Sequence, residues 1–187
     1  MSEWIYERSN DNRFRYVLGE SGTCPLVCFG VNPSTATPER LDPTLTRVRE
    51  WARRTDYDGW LMFNLYPERA TDPRRLPRVR DGVCCGHNVA TMRRVLGQMN
   101  APTIWAAWGN TITMRAYLSE CLLEALEFVP AGVLWVSTGL TTMGHPRHPL
   151  YVPYTSRFLP FDIAGYMGSP CLRIPSLRRR RRCRESE

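Results

Sequence analysis

Pro25-Leu26-Val27-Cys28-Phe29-Gly30-Val31-Asn32-Pro33-Ser34-Thr35-Ala36-Thr37 is the stretch on which the fold turns. Its apolar run, Leu26 to Phe29 and then Val31, stops at Asn32-Pro33. Short apolar runs bounded by turn residues fit strands buried on both faces, as in a parallel sheet. Pro33 lacks the N–H a ladder needs, so the strand ends there. In open α/β sheets, ligands bind in the crevice at the carboxyl ends of the strands. Gly30 permits close approach to the backbone, and Asn32 offers an amide that both donates and accepts. A strand followed by an Asn-Pro turn is the plainer reading of the same residues.

The pattern repeats downstream. Gly59-Trp60-Leu61-Met62-Phe63-Asn64-Leu65-Tyr66-Pro67 is a second apolar run ending in asparagine and proline. Pro102 to Asn110 is a third, ending in Trp108-Gly109-Asn110, and Val133-Leu134-Trp135-Val136 is a fourth. Helices are predicted between them. Asp42-Pro43 supplies an N-cap and a first-turn proline for a helix reaching about Arg54. Val83 to Met99 and Thr113 to Phe128 carry helical apolar spacing. Upstream, residues 1–12 read as an irregular start and Phe14 to Leu18 as an edge strand. Thr71 to Arg80 is the longest loop candidate.

Buried strands alternating with helices predict a three-layer α/β/α sandwich around a central, mainly parallel four-stranded sheet. Right-handed crossovers bring all four strand ends to one rim. The expected organisation is one α/β domain over residues 1–172 and an arginine-rich, disordered tail over 173–187.

With 187 residues and 43% hydrophobic content, the chain can bury a full core. No apolar run is long enough for a membrane span, and the start at Met1-Ser2-Glu3-Trp4 lacks signal-peptide character. The expectation is a cytoplasmic monomer with no membrane partner. All 25 basic residues are arginine, for a net charge of +7. Residues 1–172 hold 18 arginines against 16 acidic residues, so the excess lies in the tail, where the run from Arg178 to Arg184 suits a polyanion. A second basic group (Arg69, Arg74, Arg75, Arg78 and Arg80) falls around the loop candidate. Seven cysteines, with Cys84 and Cys85 adjacent, make a poor disulfide framework. Neither Cys24 with Cys28, nor Cys84 and Cys85 with His87, matches a metal-site spacing. No metal and no cofactor is expected.

Four segments meet at the predicted rim: Asn32-Pro33, Asn64, Trp108-Gly109 and His145 to His148. A strand-end asparagine can pair two-point with a planar amide such as a nucleobase edge. A nearby histidine can stabilise an oxygen that gains negative charge. No serine–histidine–acid set, phosphate-binding glycine loop or paired-carboxylate pattern is evident. Asp42, Asp56 and Asp58 read as a cap and turn residues, and Trp105 and Trp108 as core, one on each sheet face.

These residues resemble a family. Gly30-Val31-Asn32-Pro33 is similar to the first motif of the uracil-DNA glycosylase superfamily in its Gly-x-Asn-Pro form. Met62-Phe63-Asn64 resembles the strand whose asparagine reads uracil, Ile104 to Gly109 its apolar Trp-Gly strand, and the histidine–proline segment its last motif. More narrowly, Asn32 to Ala36, Asn64-Leu65-Tyr66 with Arg69-Ala70-Thr71-Asp72-Pro73, and Gly144 to Tyr151 resemble a bacterial and phage family of unknown function, over about residues 14–152. The chain departs from the glycosylases at Ser34-Thr35. The last motif has two candidate pairs, His145-Pro146 and His148-Pro149, and lacks its serine with either.

The resemblance implies a DNA glycosylase-like enzyme that takes a flipped nucleobase and hydrolyses its N-glycosidic bond, with DNA or a nucleotide as partner. Asn32 would orient water, and His145 or His148 would stabilise the departing base. Asn64 would read the base edge, Phe63 or Tyr66 would stack on it, and Gly30, Pro33, Ser34 and Gly109 would shape the pocket. The same pocket also suits a transferase or hydrolase of modified bases or nucleotides, or a nucleotide-binding module without turnover.

Overall fold

A computed structural model of the chain describes residues 3–130 and 132–175. The arginine run from Arg178 to Arg184, and with it most of the expected tail, lies outside the described residues. Among the described residues the strands are β1 (Trp4–Arg8), β2 (Arg15–Glu20), β3 (Pro25–Gly30), β4 (Gly59–Asn64), β5 (Thr103–Ala106), β6 (Leu134–Ser137) and β7 (Leu159–Pro160). The helices are α1 (Pro43–Arg54), α2 (Gly82–Leu96), α3 (Ala116–Leu126) and α4 (Ile163–Gly168). Short 3-10 turns cover Pro73–Arg75, Gly109–Thr113 and Pro149–Tyr151.

One sheet takes all seven strands in the order β1-β2-β4-β3-β5-β6-β7. Its middle is parallel: β3 pairs with β4 and β5, and β5 with β6. Antiparallel strands extend it at both edges, β2 on β4, β1 on β2 and β7 on β6. The expected four-stranded sheet is therefore the parallel centre of a seven-stranded one. Residues 4–8, read as irregular, form an edge strand. The strand expected at an edge is paired on both sides.

Alternation along the strands divides the core in two. Leu26 and Cys28 of β3 join Trp60, Met62 and Trp105 under α1, while Val27 and Phe29 face α2 and α3. On α1, Leu45, Val48, Trp51 and Ala52 are buried at helical spacing. Trp51 lies against Trp105 and Phe158, with ring centroids 5.4 and 5.1 Å away. Truncating such a buried tryptophan costs about 3–5 kcal/mol. At the start of α1, Asp42 Oδ1 accepts from the Leu45 amide (2.9 Å) and Pro43 occupies the first turn. A cap of this kind contributes about 1 kcal/mol. No described helix is long and apolar enough to cross a membrane.

The β3–β4 register sets where the two strand-end asparagines stand. Gly30 lies opposite Asn64 at the last ladder position. Beyond it the two chains stay joined, with Leu65 N–H donating to the Gly30 carbonyl and Tyr66 N–H to that of Val31, both at 2.9 Å. Asn32 thus leaves the sheet two residues after the paired position.

Candidate functional site

A cavity of about 550 Å³ opens at the carboxyl ends of the parallel strands. Its walls come from the turn after β3 (Val31, Asn32, Ser34), the start of α1 (Asp42 to Thr44), the loop after β4 (Ala70, Thr71, Pro73), the turn after β5 and the segment before Tyr151. The volume lies within the range of small-ligand sites.

Asn32 is held from its nitrogen side. Its Nδ2 donates to the carbonyls of Ala70 (2.7 Å) and Pro33 (3.0 Å). Oδ1 has no partner among the described residues, so Asn32 presents a fixed acceptor to the cavity. Ser34 lines the same wall, while its carbonyl accepts from Arg69 Nη1 at 2.5 Å. Pro33 is buried, and its carbonyl also accepts from the Ala70 amide (2.8 Å), so it shapes the turn from behind.

Asn64 does not line the cavity. It is fully buried, lying behind Asn32. In the amide orientation its neighbours require, Nδ2 donates to the Asn32 carbonyl (3.2 Å) and Oδ1 accepts from Arg15 Nη2 (3.3 Å). Arg15 is also fully buried, and burial lowers its pKa to about 10, so the guanidinium remains charged. Gly30 serves this arrangement rather than the cavity. A Cβ there would stand 2.5 Å from Met62 Cε and 3.2 Å from the Asn64 side-chain amide.

Neither candidate stacking residue reaches the cavity wall. Phe63 points into the core under α2 and α3, 5.7 Å between ring centroids from Phe29. Tyr66 is buried against Tyr117, and its hydroxyl accepts from the Asp81 amide (3.2 Å). Strand parity settles Phe63, since it shares the face of Val27 and Phe29. The aromatic residues on the wall are Trp108 and the largely exposed Tyr151. Trp105 and Trp108 do fall on opposite faces, but Trp108 also borders the cavity.

The two histidines separate. His148 lines the cavity, and its Nδ1 accepts from the Leu150 amide (3.3 Å) at the head of the Pro149–Tyr151 turn. Burial pushes its pKa down to about 4, opposed by the nearby Asp42 carboxylate. At neutral pH it is an uncharged imidazole whose proton is on Nε2, the tautomer set by the Leu150 contact. Gly109, at φ +58°, lets it come close: a Cβ there would meet His148 Cβ at 3.3 Å. On α1, Arg47 Nε donates to the Pro149 carbonyl (3.0 Å) and Nη2 to that of Val152, clamping the turn to the helix.

His145 is fully buried and does not line the cavity. Burial lowers its pKa as well. The Tyr166 hydroxyl lies 2.8 Å from His145 Nδ1 and accepts from Trp108 Nε1 at 3.0 Å. The tyrosine hydroxyl thus links the indole of Trp108 to the His145 ring. His145 thereby anchors α4 to the strand-end turn beside Trp108.

Several wall residues escaped the sequence reading. Asp42 caps α1 as expected, yet it also borders the cavity. Asn110 accepts from Thr141 Oγ1 (2.7 Å), and both line the wall. Arg147, exposed between the two histidines, anchors Nε on the Leu140 carbonyl (3.1 Å). The Trp-Gly-Asn and His-Pro-Arg-His strings did hold this signal. Of the remaining candidates, Cys28, Cys84, Cys85 and Cys121 are buried free thiols. Asp58 closes a turn on the Thr23 and Cys24 amides, both at 2.7 Å. No cluster of three His, Cys, Asp or Glu side chains suited to a metal occurs among the described residues.

A mixed α/β sheet with a cavity at its parallel strand ends defines the architectural class. The chain belongs to a family described as a protein of unknown function (DUF1643), whose model matches residues 15–150. That match starts at the first residue of β2 and ends within the turn after His148. No curated protein and no solved structure matches the chain.

Proposed function

We propose that the cavity receives a nucleobase of a nucleic acid and that the protein hydrolyses the N-glycosidic bond. The observation that carries this reading is the pairing, in one cavity, of a fixed acceptor with a neutral donor. Asn32 Oδ1 is free while its nitrogen is committed, and His148 offers Nε2–H. Glycosidic hydrolysis of a base needs an acceptor to orient water and a donor for the oxygen or nitrogen that gains charge. Motif order agrees: the Gly-x-Asn-Pro and His-Pro segments that resemble the uracil-DNA glycosylase superfamily supply these two groups. Of the two pairs, His148-Pro149 is the one on the cavity wall.

Features of the mouth support a nucleic-acid partner. Pro73 is on the wall, and the exposed Arg74 and Arg75 come directly after it. Arg147 and Tyr151 border the same cavity. Guanidinium groups beside an exposed aromatic ring suit a strand whose bases stack while its phosphates are neutralised.

Asn64 favours a second reading. The asparagine expected to read uracil is engaged with Arg15, so a different base or a different reaction on a base fits this pocket. The test incubates the protein with oligonucleotides carrying uracil, hypoxanthine, xanthine or 5-hydroxymethyluracil, with Asn32→Ala as control. Free base and alkali-labile sites from the parent alone support glycosidic hydrolysis. A changed oligonucleotide mass with the sugar–base bond intact supports modified-base chemistry. Protection of the strand without any product marks a binding module.

A further inference from the structure

We infer that Asp42 is the general base that activates water in this cavity. The inference rests on the glycosidic reading and assigns the one role that reading leaves open. Asn32 can orient water, but a neutral amide cannot take its proton. His148 cannot take it either, because its Nδ1 lone pair is committed to the Leu150 amide and Nε2 already carries hydrogen. Arg147 is a cation, and the remaining polar side chains on the wall are amides and hydroxyls. Asp42 is the one carboxylate among the described residues that line the cavity.

Its geometry suits the task. Oδ1 is fixed by the Leu45 amide at 2.9 Å, and the Asp42 carbonyl accepts from the Thr46 amide at 2.9 Å. Oδ2 has no partner among the described residues. Pro43, without an N–H, does not compete for it. A carboxylate anchored through one oxygen and open at the other is oriented without being neutralised. Asp42 and His148 line the same cavity.

The step balances as a hydrolysis. Water, oriented by Asn32 Oδ1, attacks the sugar C1′ and passes one proton to Asp42 Oδ2. The C1′–N bond breaks, and its electron pair leaves with the base. His148 Nε2–H donates to that anion, which takes up the proton that Asp42 and solvent return. One water is consumed, and the free base and a 1′-hydroxyl sugar are formed.

The test separates chemistry from capping, because asparagine caps a helix as well as aspartate does. Asp42→Asn should keep the melting temperature of the parent and its affinity for the oligonucleotide. Single-turnover base release should fall on the order of 10²–10⁴-fold. Asp42→Ser, a second capping residue without a carboxylate, should behave alike. Release by both variants at the parental rate would show that Asp42 only caps α1 and would overturn the inference while the glycosidic reading stands. Failure of the parent itself to release base from any of the four oligonucleotides would remove that reading, and this role with it.

Discussion

The ends of β3 and β4 carry the same residue and do opposite things with it. Asn32 lies two positions past the last paired residue and turns its free oxygen to the cavity. Asn64 lies level with Gly30 and is walled in by Arg15 and the Asn32 carbonyl. Both come after an apolar strand and precede a proline. What separates them is register, a property of the pair and of neither strand alone. One asparagine faces the cavity; the other holds the first in place. The Asn64 hydrogen bond to Asn32 goes to the backbone, so it leaves the Asn32 side chain free to be oriented by Ala70 and Pro33.

This contrast can be broken from either side. The largest effect is expected from Asn64→Leu, which strands the Arg15 guanidinium and the Asn32 carbonyl. Losing partners for a buried charged donor and a carbonyl costs about 3 kcal/mol, read as a lowered denaturant midpoint. A near-neutral result would mean that Asn64 does not support the turn after β3.

Acid titration sets both strand ends apart from the opposite wall. Asn32, Asn64 and Arg15 keep their charge state between pH 4 and pH 6.5, while His148 does not. Its pKa is about 4 in the fold and about 6.5 in an unfolded chain. Above pH 6.5 it is neutral in both states. As pH falls from 6.5 towards 4, the unfolded chain binds a proton that the fold excludes, so stability declines by roughly 2–3 kcal/mol. His145, lowered in the same direction, adds to that window. His148→Gln should flatten part of the slope in urea titrations from pH 7 to pH 4, and an unaltered slope would assign it to other groups.

Gly30→Ala probes the gap between the two ends, since its methyl would press on Met62 and Asn64. Met62 Cε is the free end of a flexible chain and can yield, so a loss of about 2 kcal/mol is expected. Retention of the parental melting temperature would show that the strand pair has slack. The smallest stability change belongs to Asn32→Ala, about 1 kcal/mol, because the carbonyls it releases can turn to water. Its activity loss should be far larger, about 10²-fold in base release. A variant as active as the parent would move the water-orienting role elsewhere.

The parallel centre was legible because each of its strands is an uninterrupted apolar run closed by a turn residue. Helix α1 was legible from Asp42-Pro43 and the spacing of Leu45, Val48, Trp51 and Ala52. The outer strands were not. Trp4–Arg8 carries Glu7 and Arg8 on a half-exposed edge, and Leu159–Pro160 is only two residues long. The site was legible as a set of segments, not as a set of side chains. Motif order brought Asn32, Ser34, Gly109 and His148 to one cavity. It could not tell that Asn64, Phe63 and Tyr66 turn inward, since parity and register decide that. Nor could it tell that Asp42 spends only one oxygen on its helix.

Arg15 gives the wall behind Asn32 a permanent charge. It has no ion pair among the described residues; Arg69, a second cation held by backbone carbonyls, opposes its charge, while the Asp42 carboxylate favours it. A lysine in such surroundings would shed its proton near neutrality and leave the wall uncharged, whereas arginine holds its own. The turn that carries Asn32 therefore rests, through Asn64, on a charge that persists across the whole physiological pH range.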